Sequence, residues 1–235
     1  MSNDRDELIN FYDLKAVKKH QQHTINPHFD DTQIKLPCRI LAVGATGSGK
    51  TNVLMNFLYR AQDTFTHVYV VHKMPEPLYD YMREKLKDNV TFYLDLSKLP
   101  DVNSLEHSDE GQILLIFDDQ CAEKDQKKIK EYMLRGRKKG FGISIIYLTQ
   151  SYYEVPKFIR INMNYIEIVK AGSDKDLKQI LSEYALGIDK DQLVDLYEDA
   201  TSDYPSFLKI DLGTVDKSKK FSHNFKDFYD LRKRD

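Results

Sequence analysis

The sequence predicts an α/β fold: a mostly parallel sheet sandwiched by helices. Three observations carry that reading. Gly44-Ala45-Thr46-Gly47-Ser48-Gly49-Lys50-Thr51 fits the phosphate-binding loop pattern, two glycines at fixed spacing followed by Lys-Thr. An apolar run precedes this loop and an amphipathic helical stretch follows it. Further apolar runs recur down the chain without polar alternation, as strands buried on both faces do, and helical stretches separate them.

Residues 1–36 are polar, with few apolar anchors, and read as a mobile or lightly packed arm broken at Pro27 and Pro37. His20 and His23 fit one helical face and His28 follows, but no cysteine or carboxylate cluster completes a metal site there. Cys38–Val43 is a short buried strand. After the loop, Val53, Leu54, Phe57, Leu58 and Ala61 share one face of a helix. His67–His72 is the next strand, Pro75 and Pro77 open a helix over Leu78–Leu86, and Thr91–Leu94 is a third strand. Residues 95–111 are polar and irregular. Gln112–Asp119 is an apolar strand ending in two carboxylates, and residues 124–139 form a charged helix and loop. Ile143–Gln150 and Tyr165–Val169 are further strands. Helices over about 174–185 and 190–199 precede a strand at Phe207–Ile210. Residues 216–235 read as a short tail helix or a partner-binding segment. The division is therefore an arm at 1–36, a phosphate-loop domain at 37–213 and a charged tail at 214–235.

Strand, glycine loop and helix together turn the pattern into a mechanism. Glycines let the backbone bend around a polyphosphate with N–H groups pointing inward, and the helix N-terminus adds partial positive charge at the same place. Lys50 is placed to reach the β- and γ-phosphates of ATP, and Thr51 to ligate Mg²⁺. The strand ending in Asp118-Asp119 is the Walker B pattern. Ligands bind at the carboxyl ends of strands in open α/β sheets. Asp118 is thus placed to hold Mg²⁺, and Asp119 to polarise an attacking water as general base. Gln150 would lie beside these carboxylates, able to sense the γ-phosphate, if its strand and the Walker B strand neighbour the loop strand.

With 235 residues, 41% of them apolar, the chain suits one domain with a sizeable core. Its net charge of −2 excludes a uniformly basic nucleic-acid binder, so charge distribution matters more than the sum. Residues 124–139 carry eight positive and two negative side chains, an excess of +6. A narrow stripe of Ile129, Tyr132 and Met133 docks this helix and leaves a basic face for nucleic-acid phosphate or an acidic neighbouring subunit. Residues 171–203 carry an excess of −6 and residues 216–235 an excess of +3. Opposite patches on one chain suit a head-to-tail ring contact, or could meet within one subunit. Cys38 and Cys121 sit in or beside strands and read as small apolar residues in a reduced, intracellular protein. No apolar run approaches the roughly 20 residues of a membrane-spanning helix, and the polar Met1–Glu7 does not read as a signal peptide.

A Walker B strand far down the chain, with another strand intervening, suggests the additional-strand branch of P-loop ATPases. The chain most closely resembles the A32-like genome-packaging ATPases of large DNA viruses and virophages, within the FtsK–HerA superfamily. The residues that carry the likeness are Leu36-Pro37-Cys38-Arg39-Ile40-Leu41 leading into Gly44–Thr51, Ile116-Phe117-Asp118-Asp119, and the run from Arg135 to Asn162. That run holds Arg137, Ile143 through Gln150-Ser151, and Pro156 through Ile159-Arg160-Ile161-Asn162. The likeness spans about residues 36–212. It implies a RecA-like sheet, ATP and Mg²⁺ at subunit junctions of a homo-oligomeric ring of five or six subunits, and double-stranded DNA bound without sequence preference in the channel. It also implies capsid vertex proteins as partners and a place in the host cytoplasm or viral factory, with transient association with the virion. In the family an arginine from the adjacent subunit completes the site. Arg137 is the first choice here, with Arg135 and Arg160 behind it. Spacing to the Gln150 strand is slightly longer than in bacterial pumps, and Asp119 stands where bacterial members usually carry Glu. No membrane anchor, nuclease or DNA-guiding domain is recognised, which fits a minimal packaging motor.

Two other readings compete: a P-loop kinase acting on a nucleotide or small molecule, and a non-catalytic assembly protein switched by ATP. The adjacent carboxylates and the strand ending in Gln150 stand against a kinase, because kinases exclude water rather than activate it.

Overall fold

Each apolar run becomes a strand of one sheet in the computed structural model, which describes residues 9–19, 25–107, 109–123, 125–185 and 187–231. The strands are β1 (Arg39–Val43), β2 (His67–Val71), β3 (Val90–Tyr93), β4 (Ile113–Asp118), β5 (Ile143–Thr149), β6 (Tyr165–Ile168), β7 (Leu208–Asp211), β8 (Phe221–His223) and β9 (Asp227–Phe228). The helices are α1 (Lys15–Lys18), α2 (Phe29–Thr32), α3 (Lys50–Arg60), α4 (Pro77–Leu86), α5 (Lys127–Arg135), α6 (Lys157–Arg160), α7 (Asp174–Tyr184) and α8 (Lys190–Ala200). Strand order is β3-β2-β4-β5-β1-β6-β7-β8-β9. Pairings from β3 across to β6 are parallel, and those from β6 to β9 are antiparallel. β5 thus lies between the phosphate-loop strand and the Walker B strand, so of these two only β5 neighbours the loop strand on that side.

Successive strand residues point to opposite faces, and here both faces are packed. Leu41, Tyr69, Leu115, Phe117, Ile145 and Tyr147 join one core. Against it lie Ile129 and Met133 of α5, Ile180 of α7, and Leu193 and Ala200 of α8. Ile40, Ala42, Val70, Leu114, Ile116, Ile146 and Leu148 join the other, against Val53, Leu54 and Phe57 of α3 and Tyr79 and Met82 of α4. A fully buried Val, Leu or Phe side chain contributes about 1.5–3 kcal/mol, so these three residues of α3 hold the helix that begins at Lys50 firmly to the sheet.

Three expectations need correction. The stretch 25–36 does not lie loosely on the surface. Ile34 is fully buried, the Asn26 side chain donates to the Ile34 carbonyl at 2.9 Å, and Gln112 donates to the Ile25 carbonyl. The tail forms no α-helix over its described part: after a single 3-10 turn at Lys217–Lys219, 221–223 and 227–228 add two antiparallel strands, and Phe221 and Phe225 are buried. Residues 95–111 are not merely irregular. They make two short 3-10 turns that bury Leu96, Leu99, Val102 and Leu105 against the α5 side of the sheet. Met1–Glu7, His20, His23, Lys124 and the last four residues of the tail lie outside the described residues.

The antiparallel edge contains two buried charges in register. Glu167 of β6 pairs with Lys209 of β7, and both side chains are almost wholly buried. Lys209 Nζ donates to the Thr32 carbonyl at 3.2 Å and to the Phe225 carbonyl, tying the N-terminal stretch and the tail to one strand. Burial pushes the Glu167 carboxyl up to about 7, against the pull of the Lys209 charge. Burial likewise lowers Lys209 to about 8, against Glu167 and Asp211.

Candidate functional site

β1 ends at Val43 between β5 and β6, and the chain turns through Gly44–Gly49 into α3. Gly47 (φ 74°) and Gly49 (φ 100°) take left-handed conformations that strain any side chain. Gly44 is needed for space: a Cβ there would come within 2.5 Å of Ser48 Oγ and 3.0 Å of Val169 Cβ. The loop is held at its base by Gly44 N–H to the Thr149 carbonyl at 3.1 Å and Ala45 N–H to the Lys170 carbonyl at 2.8 Å. Lys50 folds back over it, its Nζ donating to the carbonyls of Gly44 at 2.8 Å and Ala45 at 3.1 Å. Burial lowers the Lys50 pKa, and the charges of Asp119 and Asp118 oppose that shift.

Asp118 closes β4, level with Leu148 of β5, at the same edge as the loop. Its Oδ2 accepts a hydrogen bond from the Tyr79 hydroxyl at 2.7 Å. Burial pushes the Asp118 carboxyl up; the Tyr79 hydrogen bond pulls it down and the Asp119 charge adds to the rise. Tyr79 is 1% exposed and packs edge-on against His72 at 4.9 Å between ring centroids. Pro77 in the first turn of α4 and the Glu76 side chain, which accepts from Leu78 N–H at 3.2 Å, set where that helix starts and so where Tyr79 points.

Asp119 sits in the left-handed region (φ 48°), which Asp tolerates better than most residues. Its Oδ2 accepts from Gln150 Nε2 at 2.7 Å, and Gln150 Oε1 accepts from Thr46 Oγ at 2.8 Å. One amide thus joins the phosphate loop to the second Walker B carboxylate across the end of β5. Thr46, Lys50, Thr51, Asp118, Asp119 and Gln150 line a single cleft of about 420 Å³.

The three arginines lie away from this cleft. Arg137 is exposed on the turn before β5, at the amino-terminal edge of the strands, where it lines a separate cavity with Lys35 and Lys138. β5 is seven residues long, so its ends are roughly 20 Å apart. Arg135 is exposed at the end of α5. Arg160 is engaged within the subunit: it pairs with Glu183 at 2.5 Å and stacks over Tyr152, 4.9 Å from the ring centroid. The basic face is narrower than its charge count suggests, because Lys128 Nζ donates to the carbonyls of Ser97 and Leu99. Part of the acidic stretch is likewise internal. Asp176 accepts from Ser151 Oγ at 3.1 Å and from Tyr153 N–H at 2.8 Å.

The donor set fits a magnesium-bound polyphosphate. Ser48 Oγ and Asp119 Oδ1 are buried without a hydrogen-bond partner among the described residues. The described residues hold no cluster of three or more His, Cys, Asp or Glu that could bind a metal. Mg²⁺ at a phosphate needs only one or two protein groups, and the Thr51 hydroxyl and Asp118 carboxylate supply that number. Sequence reasoning missed Tyr79, which lies behind Asp118, and Tyr204, which lines the cleft, because an aromatic among apolar neighbours reads as packing.

Comparison with known proteins agrees with this geometry. The profile of the family described as Poxvirus A32 protein matches residues 27–204. Among solved structures, the genome packaging NTPase B204 from Sulfolobus turreted icosahedral virus 2, in complex with ATP-gammaS, superposes with a TM-score of 0.57 at 19% identity, covering 82% of this chain and 99% of that one. B204, the DNA-packaging ATPase from Sulfolobus turreted icosahedral virus, gives 0.52 at 15% identity, with 82% and 98% covered. The cytoplasmic domain of the type VII secretion ATPase EccC from Thermomonospora curvata gives 0.50 at 13% identity, with 78% and 26% covered. At these identities the likeness is one of fold. No curated protein matches the chain.

Proposed function

The chain belongs to the Poxvirus A32 protein family, and from that premise we propose that it hydrolyses ATP to drive double-stranded DNA into a viral capsid. The observation that carries this reading is the path from Thr46 through Gln150 to Asp119, which joins the phosphate loop to a carboxylate whose second oxygen has no hydrogen-bond partner among the described residues. The names of the two B204 proteins, a genome packaging NTPase and a DNA-packaging ATPase, support it.

Lys50 binds the β- and γ-phosphates in place of the loop carbonyls it now meets. Thr51 and Asp118 would hold Mg²⁺, which would supply polarisation of the phosphate oxygens. Asp119 takes the proton of the attacking water as its oxygen bonds to the γ-phosphorus and the bond to the bridging oxygen breaks. Gln150 reports the γ-phosphate to Asp119. Tyr79 fixes the Asp118 carboxylate. Arg137 faces away from its own cleft, as a residue serving a neighbouring subunit must, and its exposure leaves it available, unlike Arg160. The working form is a homo-oligomeric ring of five or six subunits around non-specifically bound duplex DNA, docked on capsid vertex proteins in the host cytoplasm or viral factory. Among the described residues no helix is long and apolar enough to cross a membrane.

Phosphate release, measured with and without random-sequence duplex DNA over a range of protein concentration, tests this. Hydrolysis should rise more than linearly with concentration and increase further with DNA. Arg137→Ala should lower the rate of assembled protein about 10³-fold. Mixing it with Lys50→Ala should restore part of the activity, since some junctions then pair an intact loop with an intact arginine. Full activity in Arg137→Ala alone rejects that residue. Phosphate transfer to a small molecule without release to water rejects the translocase.

A further inference from the structure

We infer that Tyr204 is the stacking platform for the base of the bound nucleotide. The inference rests on the nucleotide reading above and extends it to the other end of the ligand. Tyr204 lies between α8 and β7 and is 70% exposed. It is not loose on the surface. A Cβ built on Gly49 would fall 3.0 Å from Tyr204 Cε2 and 3.1 Å from Pro205 Cβ, so the ring packs on the last glycine of the phosphate loop. Tyr204 also lines the same cleft as Thr51 and Asn52, the first residues of α3.

Strand order sets the direction in which the ligand lies. Asp118 closes β4 and Asp119 follows it, and β4 is two strands from β1 on one side. Tyr204 precedes β7, two strands from β1 on the other. The γ-phosphate belongs with Asp119 and Gln150, so the nucleoside must leave the loop toward β6 and β7, where Tyr204 stands. Every base has a π-face, so stacking here recognises a purine or pyrimidine without reading its hydrogen-bonding edge. Gly49 therefore serves two ends of one ligand: its left-handed backbone shapes the phosphate loop, and its missing side chain lets the ring come close.

Binding measurements separate this from a structural role. MgATP and magnesium tripolyphosphate, which has the phosphates and no base, are titrated by calorimetry into wild-type protein, Tyr204→Ala and Tyr204→Phe. Tyr204→Ala should weaken MgATP about tenfold, the scale of one base–aromatic stack, and leave tripolyphosphate unchanged. Tyr204→Phe should keep both affinities within about twofold, since the ring remains. GTP should lose affinity in Tyr204→Ala by a factor similar to that for ATP. Equal weakening of MgATP and tripolyphosphate, or no weakening of MgATP, overturns the inference while leaving the nucleotide site in place. A wild-type protein that binds neither ligand overturns the reading on which it rests.

Discussion

The two halves of the sheet are built on different physical terms. From β3 to β6 the strands are parallel, and β2 (His67–Val71) and β5 (Ile143–Thr149) are buried at every position, with uncharged or apolar side chains throughout apart from His67. From β6 to β9 the strands are antiparallel and bury Glu167, Lys209 and Ser222. Apolar burial is non-directional and spread over many contacts, so the parallel half forms a stiff plate whose carboxyl edge is free to carry polar groups. Buried charge is directional, and removing one partner leaves the other stranded. The first half thus separates its core from its chemistry, whereas the second half has polar groups for its fastening.

That contrast should break most visibly at Lys209. Lys209→Met would leave Glu167 without a counter-charge and the Thr32 and Phe225 carbonyls without their donor. It should cost about 3–5 kcal/mol of stability in urea unfolding at pH 7, while nucleotide affinity of the folded protein changes less than about twofold. A loss below about 1 kcal/mol would mean the two halves are held alike. The converse pattern is expected at Asp119. Asp119→Asn should slow steady-state phosphate release by about 10²-fold or more while unfolding midpoint and nucleotide affinity stay near wild type. Hydrolysis at the wild-type rate would remove Asp119 as the base.

The smallest effect sharpens the comparison through pH. Glu167 holds its proton in the folded chain up to about 7, above the 4.5 of the free side chain. The folded state therefore binds more protons than the unfolded state between those values, and the stabilisation is lost as pH rises through that window. Wild-type stability should fall by on the order of 2 kcal/mol between pH 4.5 and 7.5 from this group. The curve for Glu167→Gln should be flatter by that amount. Identical slopes would show that Glu167 does not titrate in this range.

The parallel half was legible because its signals are local. Gly44–Thr51 needs particular residues at particular spacings, and runs such as Ile113–Phe117 have no other soluble home than a strand covered on both faces. Gln150 was expected beside Asp119 only if β4 and β5 both neighboured β1; β4 instead lies beyond β5, and that order still brings the two side chains together. The antiparallel extension was not legible, because Phe221-Ser222-His223 is short and lies in a charged stretch that reads as solvent-facing. Nothing local marks Glu167 or Lys209 as buried; pairing across β6 and β7 sets them opposite each other in the interior. Tyr79 and Tyr204 were hidden by ambiguity of type: the ring satisfies an apolar pattern, and nothing in the spacing says where the hydroxyl or the exposed face points.

The fastening at Lys209 also sets a clock. Thr32 and Lys209 are 177 residues apart in the chain. A ribosome adding roughly 5–20 residues per second needs on the order of ten to thirty seconds to go from one to the other. Before that interval ends the phosphate loop, both carboxylates and Gln150 have all been made, yet Thr32 has no ammonium to meet and the core that Ile34 shares with Phe207 and Phe225 is incomplete. The nascent protein therefore owns the residues of its nucleotide cleft before it can dock the stretch around Thr32, and a nucleotide caught early would find β6 with no strand yet on its outer side.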